Sequence, residues 1–307
     1  LNGSIEVQQT NTEIVQKNTK KRWRDHAAWK RFKKNKLAVF GAIILLIFLI
    51  LAILAPLISP YSPYESTKGE FGDINVLAPP GDGHLLGTDS LGRDMLSRII
   101  YGGRVSLTVA FVAVMIATIT GVFLGLVAGF YGKWVDTVIM RITDVVICFP
   151  VLFLAITVAT ILKPSLLNVI IIIGLVSWTT MTRLVRGEVL RLREMEYIEA
   201  TRAMGQNDAI IILRHILPNI MAPIVVQGTL QTAEAILTES ALSFLGVGVQ
   251  QPVPSWGNML NEATSIMVLQ FKPWVWMPAG FAILLTILCI NFVGDGLRDA
   301  LDPKVKN

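Results

Sequence analysis

The chain has 307 residues, 53% of them hydrophobic and only 16% charged. That is too apolar for an ordinary soluble domain. The formal net charge of +5 follows from the way basic residues flank the apolar blocks, so it calls for no nucleic-acid partner.

The first 36 residues hold ten Lys/Arg against three Asp/Glu. A polar lead over 7–19 merges into a stretch where Trp23, Trp29 and Phe32 are interleaved with Arg22, Arg24, Lys30, Arg31, Lys33 and Lys34. The favoured reading is a basic segment that sets membrane topology. The alternative is an interfacial helix on the anionic inner leaflet. The uncharged block 37–58 follows, longer than a secretory leader's apolar run and without a small-residue cleavage site after it, so it reads as a retained anchor.

Crossing the hydrocarbon core takes about 20 apolar residues. Five further blocks qualify or nearly do: 105–130, 138–162, 166–182, 220–249 and 276–293. Six membrane helices are therefore expected, with no β-structure. Gly121, Gly125 and Gly129 put three Cβ-free positions on one stripe of the second helix, where another helix can approach closely. Pro150 should kink the third helix. Arg141 and Asp144, near the start of that helix, are expected to pair with each other. With the N-terminus inside, the inner segments carry 21 of the 27 Lys/Arg, which puts both termini in the cytoplasm.

The outer segment 59–104 opens with turn chemistry at Ser59-Pro60, Ser62-Pro63 and Pro79-Pro80-Gly81. Over 90–101 the spacing predicts a short amphipathic helix on the outer membrane surface. Leu91, Met95, Ile99 and Ile100 would share one face and Arg93, Asp94, Ser97 and Arg98 the other, with Asp94 and Arg98 paired.

The loop 183–218 is almost charge-neutral. Residues 196–204 read as a short helix, Gly205 as its left-handed terminator, and Asn207 or Asp208 as the cap of a second helix that ends at Pro218. Two helices joined at a glycine make a knob. Ala200 and Ala203 keep one side of it low, and Glu199 and Arg202 stand at its rim for charge-assisted contacts. Within the fifth apolar block, Gln227, Gln231, Glu234 and Thr238 fall on one helical face. That face reads either as lining of a translocation path, with Glu234 meeting a substrate's amino terminus or backbone, or as hydrogen bonding to neighbouring helices or to a partner subunit. Glu239 lies off the stripe and is expected to make a structural hydrogen bond. Asp295, Arg298 and Asp299 read as a local charge network.

Enzymatic readings fail: there is no phosphate-cradling Gly-x4-Gly-Lys-Ser/Thr, no His-Glu-x-x-His, and no histidine at the depth of Ser240 or Ser243. Cys148 and Cys289 have neither ligand nor disulfide spacing. An ion channel, a remote alternative, would have no use for the knob.

Glu199-Ala-Thr-Arg-Ala-Met-Gly205, followed by nine residues and His215-Ile-Leu-Pro218, resembles the EAA signature of permease subunits in binding-protein-dependent ABC importers. Thr201 stands where the signature has a second Ala, and His215 where it has Ile. The stretches 86–104, 239–248 and 294–303 resemble the C-type permeases of the dipeptide, oligopeptide and nickel branch. The resemblance implies a type I ABC importer permease fold, with a coupling helix between the fourth and fifth spans formed by Glu199, Ala200, Thr201, Arg202, Ala203, Met204 and Gly205. It also implies a heterodimer with a B-type permease, two cytoplasmic ATPases that hold ATP and Mg, and an extracytoplasmic solute-binding protein. Peptides are the expected cargo, with nickel or a metal chelate as the alternative. The organisation expected is a basic segment 1–36, an anchor 37–58, an outer loop 59–104, a permease core 105–298 and a tail 299–307.

Overall fold

A computed structural model describes residues 29–68, 74–81, 83–161 and 165–301; most of the basic N-terminal segment lies outside these. The regular structure is helical, with only isolated β-bridges beside it among the described residues. The long helices are α1 (Lys36–Ile53), α3 (Met95–Tyr131), α6 (Leu166–Arg193), α8 (Asp208–Phe244) and α11 (Pro273–Leu301). Shorter ones are α2 (Ala55–Ile58), α4 (Lys133–Cys148), α5 (Val151–Ile161), α7 (Glu196–Ala203), α9 (Trp256–Leu260) and α10 (Ile266–Phe271). Five helices are long and apolar enough to cross a membrane, or six if α4 and α5 count as one span.

The centre of the bundle is the seam between α3 and α6, where the glycine stripe lies. A Cβ added at Gly121, Gly125 or Gly129 would stand 2.6–2.7 Å from the Cβ of Met181, Val185 or Val189. The small-residue contact expected from the spacing is therefore present, and its partner is α6. The seam continues into a buried cluster of Leu126, Phe130, Val185, Val189, Leu192, Ile198, Ile211, Ile216 and Ile220. Helices α8 and α11 close the bundle, and α1 rides on the outside. There Gly41 faces the Cys289 carbonyl, and Gly296 faces Ala38.

The expected third span is two helices meeting at 87°. Proline disfavours the α conformation in the residue before it. Phe149 is accordingly extended, at φ −93° and ψ 126°, so the chain turns a corner where only a kink was expected. Arg141 and Asp144 do not pair. Asp144 accepts from Arg183 at 2.6 Å, and Asp136 forms a two-pronged pair with Arg186, so both carboxylates tie α4 to α6. A wheel drawn on α4 alone cannot show a partner on another helix.

The separate outer-surface helix expected over 90–101 is also absent. Helix α3 starts at Met95, capped by Asp94, which accepts from the Ser97 N–H at 2.8 Å, and it continues without a break through the second apolar block. At the other end of the molecule, α11 runs past 298 to Leu301. Asp295, Arg298 and Asp299 are exposed on it and make no ion pair among the described residues, so they are not the expected network. Of the basic segment, Trp29 stacks on Phe32, and Lys33 lies over the Trp29 ring.

Candidate functional site

The knob is present, and its construction follows from local chemistry. Helix α7 has Glu196 and Glu199 in its first turn and Arg202 in its last, the order that complements the helix dipole. It ends in a Schellman motif: the Gly205 N–H donates to the Arg202 carbonyl at 3.0 Å and the Gln206 N–H to the Thr201 carbonyl at 3.4 Å. Gly205 sits at φ +76°, a conformation that costs other residues about 1–2 kcal/mol. Asn207 caps the next helix by accepting from the Ala209 N–H at 2.9 Å.

Two residues root the knob. Ile198 is buried in the α3–α6 cluster, a placement worth roughly 1.5–3 kcal/mol. Thr201, three residues on, is buried as well, and its hydroxyl is satisfied by the Tyr197 carbonyl at 2.6 Å. Glu199, Ala200, Ala203 and Gly205 are exposed, and Met204 is 73% exposed. Arg202 is exposed too, but its guanidinium lies 5.1 Å over the Phe130 ring at the end of α3, so it touches this chain's own span as well as standing at the rim.

Pro218 does not end the second helix of the knob. The chain makes a π-helical turn over Ile211–Ile216 and continues as one helix to Phe244. The wider turn brings Ile211 and Ile216, five apart, to the same buried side, and Ile220 follows them. The second helix of the knob is thus the first part of α8 itself.

The four polar residues on α8 meet different surroundings. Gln231 is 3% exposed and donates through Nε2 to the Ser177 carbonyl of α6 at 2.9 Å. Gln227 is half-buried, and Thr238 donates to its own helix at the Glu234 carbonyl. Glu234 is exposed, on the side of α8 roughly opposite an apolar groove of about 470 Å³ that Thr118, Val225, Gly228 and Thr232 help to line. The structure therefore fixes Gln231 as a bond between helices and leaves Glu234 free on an open face. Glu239 is fully buried. It accepts from Ser106 at 2.9 Å and Ser243 at 2.8 Å, the structural role expected of it. Those serines in turn accept the Trp256 and Val249 N–H groups, so the carboxyl fastens the segment after α8 to α3.

At the end of α3 away from the knob lies a cluster that the spacing did not reveal. Asp89 accepts the Leu91 and Arg93 N–H groups and the Arg93 Nε at 2.6 Å, while Arg98 Nε lies 3.2 Å from it. Asp94 pairs with His84 at 2.9 Å and with Ser97, not with Arg98. Glu262, on the turn between α9 and α10, accepts the Ser90 N–H at 3.1 Å and stands 4.0 Å from Arg93. Burial, and then the nearby Asp89 charge, push the Glu262 carboxyl above the usual range. Arg93 and Arg98 are 2% and 1% exposed where a solvated face was expected. The available signal was Gly87 and Gly92, both at positive φ, which mark a tightly folded turn and not the first turn of a helix.

Residues 121–307, more than half of the chain, match the model of the binding-protein-dependent transport system inner membrane component. Residues 22–80 match that of the N-terminal TM domain of oligopeptide transport permease C. The dipeptide transport system permease protein DppC of Alkalihalophilus pseudofirmus is 48% identical over 285 residues, 93% of this chain and 91% of that protein. The glutathione transport system permease protein GsiD of Pectobacterium atrosepticum is 42% identical over 294 residues, 96% and 95% of the two chains. Among solved structures, a chain of the inward-facing MetNI methionine ABC transporter superposes with a TM-score of 0.55 at 17% identity, over 68% of this chain and 98% of that one. That likeness concerns the fold, which is the expected type I ABC importer permease fold. A polytopic helical bundle, two matching models and near full-length relatives at this identity place the chain in the family of binding-protein-dependent transport system inner-membrane components.

Proposed function

We propose that this chain is the C-type half of a peptide importer's membrane pathway, paired with a homologous B-type permease and driven by two separate ATPases. Helix α7 and its terminator, from Glu199 to Gly205, would be the element seated on one ATPase. The observation that carries this reading is the knob's construction: a glycine-closed helix, exposed along Glu199, Ala200, Ala203 and Met204, whose root at Ile198 lies in the same cluster as α3, α6 and α8. Force applied to the exposed side has a direct path into three spans. ATP and Mg belong to the partner ATPases in this reading, and no reaction is assigned to this chain. Both termini would lie on the knob's side, in the cytoplasm, and a solute-binding protein would deliver cargo to the other side.

The cargo reading is supported by relatives named for dipeptide and glutathione transport, glutathione itself being a tripeptide. Within the pathway, the open face of Glu234 would meet the peptide, Gln227 and Thr238 would flank it, and Gln231 would hold that face to α6.

Uptake of labelled di- and oligopeptides by the reconstituted importer, with nickel as control, tests the reading. Gly205→Val should abolish uptake while the complex still assembles and its ATPases still turn over; unchanged uptake refutes the coupling role. Glu234→Gln should lower uptake several-fold with assembly intact; if assembly is lost instead, that face serves the subunit interface.

A further inference from the structure

We propose that α10 is a shallow insertion into the lipid leaflet on the side away from the knob, contacting acyl chains rather than water or a protein partner. The inference rests on the reading of α11 as a membrane span. The six residues of α10 are Ile266, Met267, Val268, Leu269, Gln270 and Phe271. At about 100° per residue, Val268 points to one side and the other apolar side chains are spread round the rest of the wheel. Val268 is buried, while Ile266, Met267, Leu269 and Phe271 are all exposed. Gln270 alone is polar, so the helix has no face to turn to water. A helix that is apolar all round belongs in a protein core or in a membrane.

Its depth follows from its neighbours. Helix α11 begins at Pro273, one residue after Lys272, and its 29 residues extend about 43 Å, close to the roughly 40–45 Å of a whole bilayer with its headgroups. The start of α11 therefore lies at headgroup level. Helix α10 is tied to that level: Val268 is in one buried cluster with Val275 and Ala279 of the first two turns of α11. Trp274 and Trp276 pack on the same cluster with their indole N–H groups buried, and Lys272, 5.0 Å over the Trp274 ring, donates to the Leu77 carbonyl at 3.4 Å, so the outer loop covers this side of the junction and leaves the exposed side chains of α10 facing away from it. A protein partner would have to enclose three sides of a helix less than two turns long. Lipid does so without any shape match.

The test is collision accessibility of a nitroxide at Met267→Cys, Leu269→Cys or Phe271→Cys, in a Cys148→Ser, Cys289→Ala background. The complete importer would be held in nanodiscs of phosphatidylethanolamine and phosphatidylglycerol. Phe281→Cys, at an exposed position on α11, reports the span itself, and Leu85→Cys, at an exposed loop position, reports water. On α10, the ratio of oxygen to nickel-chelate collisions should match that of Phe281 and exceed that of Leu85 at least threefold. A ratio like that of Leu85 overturns the proposal in favour of water. Suppression of both collisions overturns it in favour of a protein partner. If Phe281 fails to report lipid, the span assignment falls, and the proposal with it.

Discussion

Asp89 accepts hydrogen bonds from two backbone N–H groups and holds two guanidinium groups, all in the absence of solvent. Removing one partner from a buried ion cluster costs roughly 3–5 kcal/mol, because the charges left behind can neither pair nor reach water. Asp89→Asn should therefore lower the thermal midpoint of the detergent-solubilised complex by more than any exposed charge change such as Asp299→Asn, as read by a dye-based melting curve. Burial of this group was not legible in the sequence. The helical wheel separates apolar from polar residues correctly, but it takes solvent to be what faces the polar side. Here Tyr61, Pro63, His84 and the turn carrying Glu262 cover that side. Gly205 is the opposite case: a glycine after a helix-forming run and before an Asn cap has one geometric reading, and the observed φ of +76° agrees with it.

The glycine stripe of α3 was legible because four-residue spacing alone defines a seam; the identity of the opposing helix was not. A Cβ at Gly125 would stand 2.7 Å from the Val185 Cβ and 2.8 Å from the Thr182 carbonyl oxygen, and the latter belongs to a helix backbone that cannot swing aside. Gly187, on α6, has nothing within 4 Å. Gly125→Ala is expected to destabilise the permease by about 1–3 kcal/mol through overpacking. Gly187→Ala should be neutral or slightly stabilising, since Ala is the better helix former. Thermal melting of the two variants side by side tests this; equal midpoints would mean the seam is looser than described. The π-turn in α8 escaped the sequence reading for a related reason. Pro218 signals that a normal α-helical bond is missing, but that signal is the same for a helix end and for a wider turn. The α4–α5 corner was legible in kind at Pro150, but not in angle.

At the scale of the molecule, the knob, the seam and the far charge cluster share one part, helix α3. Ile198 is where the knob enters that assembly, and truncating a buried isoleucine to alanine leaves a void worth about 2–5 kcal/mol. Ile198→Ala should leave the complex assembled, weaken the link between ATP hydrolysis and uptake several-fold, and leave basal hydrolysis within a factor of two. Peptide uptake measured against phosphate release checks this; an unchanged ratio would mean the rim contacts of α7 carry the load alone. The continuity of α3 has a mechanical side as well. It has 37 residues, about 55 Å end to end, and no proline to bend it. One tip lies under Arg202, and the other is clamped by Asp94, His84 and Asp89. Were a beam of that length to tilt by ~10° about its midpoint, each tip would swing by ~5 Å in opposite directions, and a push on the knob's end would emerge, inverted, at the other.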